Sequence, residues 1–147
     1  MYKKTILIVT ISMFFLLIMA CGQGSGPSDA ELESKTGQLL SNQYKEDVAK
    51  LKAVSTEYWS AAKSAINAAG ESKSNAMFQQ MQRSSQLMER LSFQAKQLVL
   101  MVATDIEKET DYKITTDEKK LKVIYRKILG TVDEKLLTFV PKDDDKK

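Results

Sequence analysis

Histidine is absent from the 147-residue chain, and cysteine occurs once, at Cys21. Without histidine, the commonest general base is missing, and so are the Ser-His and Cys-His pairs of nucleophilic catalysis. A zinc site built from histidine and several cysteines cannot form, and no glycine-rich phosphate-binding motif follows a strand pattern. We therefore expect no enzyme activity, no catalytic residues, no metal ligands and no cofactor beyond a lipid attached to the chain.

The chain also has little proline and only a small excess of positive charge. The two prolines, Pro27 and Pro141, lie outside the periodic segments, and 22 basic residues face 19 acidic ones. A chain so close to neutral lacks the basic face that nucleic-acid-binding proteins usually show. Because alanine, leucine, lysine, glutamine and methionine are frequent, the composition favours helix. We predict an all-α protein that does not bind nucleic acid.

One long apolar run is present, at residues 5–20, directly after Lys3 and Lys4. A membrane-spanning helix needs about 20 apolar residues, so this uncharged run is short for a span and typical of an export signal. It ends in Ile18, Met19, Ala20 and Cys21. That order of a branched apolar, a variable, a small and a cysteine residue resembles the lipobox of bacterial lipoproteins.

The resemblance covers residues 1–21 and implies a processed, lipid-anchored protein. Residues 1–20 would be a cleaved signal peptide, and the Cys21 thiol would carry a diacylglycerol, with or without a further N-acyl chain such as palmitate. Two acyl chains are enough for stable anchoring. The mature chain is then expected on the extracytoplasmic side of a cell membrane or outer membrane, with residues 21–28 as the lipidated cysteine and a flexible, glycine-rich tether. An uncleaved N-terminal membrane anchor is the alternative.

Three helices are predicted in one domain, residues 29–140, at about 29–69, 74–108 and 116–139. Ser28 with Glu31, and Thr115 with Glu118, form the pattern of a capping box. Gly70 is a helix stop, Gly130 allows a bend, and residues 141–147 form a charged tail.

Apolar and small residues recur in these segments at alternating spacings of three and four, which predicts packed helical seams. The first seam is Tyr44, Val48, Leu51, Ser55, Tyr58, Ala62, Ala65 and Ala69, and the second is Met77, Met81, Ser84, Met88, Leu91, Ala95, Leu98 and Val102. Large residues face small ones when the two segments fold back antiparallel at Gly70. The third segment is shorter, so we predict an elongated antiparallel hairpin with a shorter third helix, that is, a three-helix bundle that leaves about residues 61–83 uncovered.

The uncovered end of the hairpin is the candidate partner-binding surface. It carries the candidate residues Trp59, Ile66, Met77, Phe78 and Met81. Flexible thioethers and aromatic rings suit an adaptable contact surface. In the plainer interpretation, Met77 and Met81 fill the seam and Trp59 and Ile66 flank it.

Two functional hypotheses follow. The first is a non-catalytic, membrane-anchored interaction module whose unknown protein partner lies at the cell envelope, for example in exclusion, immunity or host interaction; self-association is a further option. The second is a carrier of an apolar ligand or lipid inside the helical bundle. Its cavity would be lined by Met88, Leu91, Leu98, Met101 and Phe139.

Overall fold

The computed structural model describes residues 26–71 and 73–141. Within these ranges the chain forms four α-helices and one 3-10 helix and contains no strand. The α-helices are α1 (Asp29–Asn42), α2 (Lys45–Gly70), α3 (Ser74–Thr110) and α4 (Glu118–Val132), and the 3-10 helix, η1, is Glu134–Phe139. The predicted all-α class is confirmed. The predicted signal peptide, the predicted lipidation site Cys21 and residues 142–147 of the predicted charged tail lie outside the described residues.

The start of α1 follows the predicted capping box. The Ser28 Oγ accepts a hydrogen bond from the Glu31 amide, and the Glu31 carboxylate accepts one of 2.8 Å from the Ser28 amide. These two bonds satisfy amide groups that would otherwise lack partners at the helix start. The Ser28 amide and hydroxyl also lower the pKa of Glu31 by stabilising its charged form.

The first predicted helix, 29–69, is wrong as a single element, because the chain breaks at Gln43 and Tyr44. The amides of both residues donate to the carbonyl oxygen of Leu39, and Tyr44 leaves the helical conformation at φ −107° and ψ 22°. Its buried ring places the hydroxyl 2.6 Å from Asp105 on α3, to which it donates a hydrogen bond. The break therefore coincides with a contact between two residues that are 61 positions apart in the chain. The seam pattern alone does not predict this break.

The antiparallel hairpin of α2 and α3 agrees with the sequence analysis. Helix α2 ends at Gly70, as predicted, and α3 begins at Ser74. Helix α3 runs to Thr110, two residues beyond the predicted end, and Asp111 follows in the left-handed conformation at φ 54°. At about 1.5 Å per residue, the 37 residues of α3 span about 55 Å.

The third predicted helix, 116–139, also divides in two. Asp117 caps α4 by accepting hydrogen bonds from the amides of Lys119 and Lys120, whereas Thr115 donates its amide and hydroxyl to Glu107. The capping box predicted at Thr115 and Glu118 is therefore wrong. Asp133 is extended, at φ −164° and ψ 119°, and separates α4 from η1.

The predicted three-helix bundle is wrong in its helix count. Helix α1 packs mainly against α4, which in turn contacts α2 and α3, while α2 and α3 pack against each other. These elements enclose one core. Its fully buried large side chains are Leu32, Leu91, Val102, Ile106, Ile114, Ile124, Ile128 and Leu136. Among the described helices, none has both the length and the hydropathy needed to cross a membrane.

Candidate partner-binding surface

The core ends well short of the hairpin turn. Along α2 the cluster of buried residues reaches Ala61, and along α3 it reaches Leu87. We call residues 62–71 and 73–86 the hairpin tip. Among the described residues of the tip, Ala65 is the one hydrophobic residue that is buried. The two helices of the tip therefore bury little apolar surface between them, as the lengths of the predicted helices implied.

Three of the five candidate residues lie exposed on the hairpin tip. The side chains of Ile66, Phe78 and Met81 are 72%, 66% and 54% exposed, respectively. Met77 is half-buried, as expected for a residue of the seam. Phe78 and Met81 are three residues apart on α3 and so lie on one face of the helix, and exposed large apolar side chains of this kind mark candidate interaction surfaces.

Trp59, the fifth candidate, lies elsewhere. Its indole Nε1 donates a 2.7 Å hydrogen bond to the Asp133 carboxylate, which also accepts one from Ser55 at 3.3 Å. The ring stacks on Phe139 with 6.1 Å between centroids and meets the edge of Tyr58 at 4.8 Å. Trp59 therefore fastens α2 to the segment between α4 and η1. Its placement on the uncovered end was wrong, because its half-buried ring lies against Phe139 of η1 and its indole bonds to Asp133.

Charge at the hairpin tip is weakly positive. The tip contains Lys63, Lys73 and Arg83 against a single acidic residue, Glu71, which pairs with Lys73 at 2.5 Å. Such an exposed pair contributes little to stability. The exposed apolar side chains are thus bordered by uncharged and basic groups, a combination that complements an apolar patch with an acidic rim.

The chain enters the domain at the opposite end. Gly26 adopts φ +67°, and a Cβ atom there would lie 2.5 Å from the ring of Tyr112, in the connection between α3 and α4. The Tyr112 hydroxyl donates a 3.0 Å hydrogen bond to Asp117, which raises the pKa of Tyr112. The pKa of Asp117 is lowered, chiefly because its carboxylate accepts a hydrogen bond from the Lys120 amide. We call the end formed by residues 26–28 and 110–118 the base.

The residues predicted to line an internal cavity do not come together. Leu91 and Leu98 are buried in the packed core and Met88 is half-buried, whereas Met101 and Phe139 are exposed. An apolar groove does exist, but on the surface between α3 and α4. The described residues contain no group of three or more acidic, cysteine or histidine side chains placed to hold a metal ion.

Sequence reasoning missed two further exposed residues, Phe93 and Leu100 of α3. Both lie outside the second seam and are seven residues apart, so they share one face of the helix. That off-seam spacing was the signal that could have identified them. Sequence reasoning also missed Asp133, because nothing in the local pattern marks an acidic side chain as the partner of a distant tryptophan.

Comparisons of the chain with protein-family models, with curated proteins and with solved structures found no match.

Proposed function

We propose that the mature chain is a non-catalytic lipoprotein, held by acylated Cys21 on the extracytoplasmic face of a cell membrane or outer membrane, whose hairpin tip binds a protein partner at the envelope. The lipobox resemblance of residues 18–21 supports the anchor. The observation that carries the orientation is the packing of Gly26 against Tyr112 at the base, about 55 Å along α3 from the hairpin turn. An anchored chain would then hold the tip away from the bilayer.

The anchor has a direct test of its own. Replacing Cys21 with alanine in the full precursor should abolish incorporation of labelled palmitate and move the protein from the membrane fraction to the soluble fraction. Unchanged partitioning of Cys21→Ala would instead favour an uncleaved apolar segment. Retention of residues 1–20 in the membrane-bound product, read by mass spectrometry, would support the same alternative.

Ile66, Phe78 and Met81 support the choice of the tip as the binding surface. Their exposed apolar side chains would be buried by a partner, and each well-buried large side chain contributes roughly 1.5–3 kcal/mol. The neighbouring basic residues suggest a partner with an acidic rim. Exclusion, immunity and host interaction are all roles that such a partner could serve.

Phe78→Glu tests the tip, and Phe93→Glu is its matched control. Both side chains are exposed on α3, so neither change should reduce helicity, but only Phe78 belongs to the tip. Crosslinking of the acylated protein in intact cells should lose its protein adduct with Phe78→Glu and keep it with Phe93→Glu. An unchanged adduct with Phe78→Glu would remove the tip hypothesis.

The second candidate function, carriage of an apolar ligand, is favoured by the groove between α3 and α4 rather than by the predicted internal cavity. Lipid extracted from a purified chain of residues 22–147 would support it, because that chain lacks both Cys21 and the apolar run of residues 5–20. Extracts without lipid would count against a carrier.

A further inference from the structure

A groove of about 420 Å³ lies between α3 and α4. We call it the basal groove. Its apolar lining consists of Val99, Leu100, Leu121 and Tyr125, and Leu100 is 51% exposed although it is a large hydrophobic side chain. Lys96 and Lys122 also line it, together with one acidic residue, Glu118. The volume is within the range of sites that take small apolar ligands.

The groove begins at the base. Glu118, which lines the groove, is the first residue of α4 and follows Asp117. Asp117 accepts a hydrogen bond from the Tyr112 hydroxyl, and the Tyr112 ring packs against Gly26. Five residue steps separate Gly26 from Cys21, and a fully extended chain covers at most about 17 Å in that distance. An acylated Cys21 would therefore keep the base, and the groove that opens beside it, close to the bilayer surface.

The chemistry of the groove suits a phospholipid. Apolar side chains would pack against the acyl methylenes of a lipid tail and remove them from water. The ammonium group of Lys96 would meet the phosphate oxygens, as lysines at membrane surfaces commonly do. We propose that the basal groove is a lipid-contact site, in which phospholipids of the anchoring membrane pack between α3 and α4. This inference rests on the proposed lipid anchor, and it adds a second, non-covalent contact that tilts the rod toward its α3–α4 face.

Photocrosslinking along α3 tests the groove. p-Benzoylphenylalanine is introduced at position 100, 93 or 78 of the full, acylated chain, in vesicles of phosphatidylglycerol and phosphatidylethanolamine. All three native side chains are exposed on the same helix, and the positions lie progressively farther from the base. We expect the lipid adduct at position 100 to exceed that at position 78 at least tenfold, with position 93 between them. Lys96→Glu should lower the adduct at position 100 several-fold.

The outcomes separate the groove from the anchor. Palmitate incorporation at Cys21 is measured on the same samples, so an anchored chain with no lipid adduct at position 100 overturns the groove and leaves the anchor intact. Equal adducts at all three positions would mean that the rod lies flat on the bilayer, and a protein adduct at position 100 would mean a protein-binding groove; either overturns the proposal. If palmitate is not incorporated, the same crosslinking is read with added vesicles, and a preference for position 100 still supports the groove.

Discussion

The two halves of the hairpin are built from the same pattern and bury very different amounts of it. In the bundled half, α1, α4 and η1 surround α2 and α3, and residues such as Leu91 and Val102 are almost completely buried. In the hairpin tip the two helices have only each other, and Met81 is exposed although it continues the seam. An apolar seam thus becomes core only where a third element covers it, and elsewhere it stays available for a partner.

Truncating one apolar side chain in each half of the hairpin tests this contrast and should give the largest effect. Leu91→Ala in the bundled half should lower the free energy of unfolding by about 3 kcal/mol, since it removes a buried side chain and leaves a cavity. Met81→Ala in the tip should lower it by less than about 0.5 kcal/mol, as exposed substitutions usually do. Chemical denaturation followed by circular dichroism measures both. Equal losses would mean that the tip is as tightly packed as the bundle.

Asp133→Ala should come next, because it removes the link between η1 and the hairpin. The carboxylate accepts hydrogen bonds from Trp59 and from buried Ser55, and bonds to charged groups contribute roughly 1.5–3 kcal/mol. We expect a loss of about 2 kcal/mol and a shift in the fluorescence of Trp59, the sole tryptophan. Glu134→Ala, which removes the adjacent exposed carboxylate, is the control. A stability loss without a fluorescence shift would contradict the proposed role of Asp133 at Trp59.

The junction between α1 and α2 should respond to alkali, because burial, and then the hydrogen bond to Asp105, raises the pKa of Tyr44 to about 12. The phenol of Tyr44 therefore keeps its proton to a higher pH in the folded state than in the unfolded state, where the pKa of tyrosine is near 10. The resulting stability is complete below pH 10 and is lost as the pH rises from 10 to 12. At about 1.36 kcal/mol per pKa unit, the loss is no more than about 2.7 kcal/mol. Thermal melts of Tyr44→Phe should lack this part of the alkaline decline; identical profiles would refute the assignment.

Of the changes at the three specific contacts, those of Asp133, Tyr44 and Gly26, the smallest effect is expected for Gly26 at the base. Gly26→Ala combines a left-handed φ of +67° with a Cβ placed 2.5 Å from the Tyr112 ring. A non-glycine residue in that conformation costs about 1 kcal/mol, and the ring has to move. Residues 26–28 should therefore become more accessible to protease while the melting temperature falls by only a few degrees. Gly70→Ala, where a Cβ meets nothing within 4 Å, is the matched control. Unchanged protection in Gly26→Ala would mean that the Tyr112 contact does not hold the chain to the base.

Local signals in the sequence predicted the elements whose ends are set by neighbours in the chain. The capping box of Ser28 and Glu31, the stop at Gly70 and the long α3 all depend on residues within one or two turns. Thr115 shows the limit of such signals. It matched a capping pattern, yet its hydroxyl bonds to Glu107, eight residues earlier, and Asp117 caps the helix instead.

The candidate site was predicted in part for the same reason. Phe78 and Ile66 could be placed on the tip because helix lengths alone indicate which part of a hairpin stays uncovered. Trp59 could not be placed, since its partner Asp133 is 74 residues away and lies at a break that no propensity marks. The exposure of Leu100 likewise depends on how α4 packs beside α3.

The sequence by itself determined the helical class and the seams of the hairpin, because these are properties of composition and short-range periodicity. Only the tertiary structure decided where the helices break, at Tyr44 and Asp133, and which apolar side chains stay exposed. Both outcomes depend on side chains that meet across more than sixty residues, Tyr44 with Asp105 and Trp59 with Asp133. A periodic pattern specifies which face of a helix is apolar, whereas burial depends on what packs against that face.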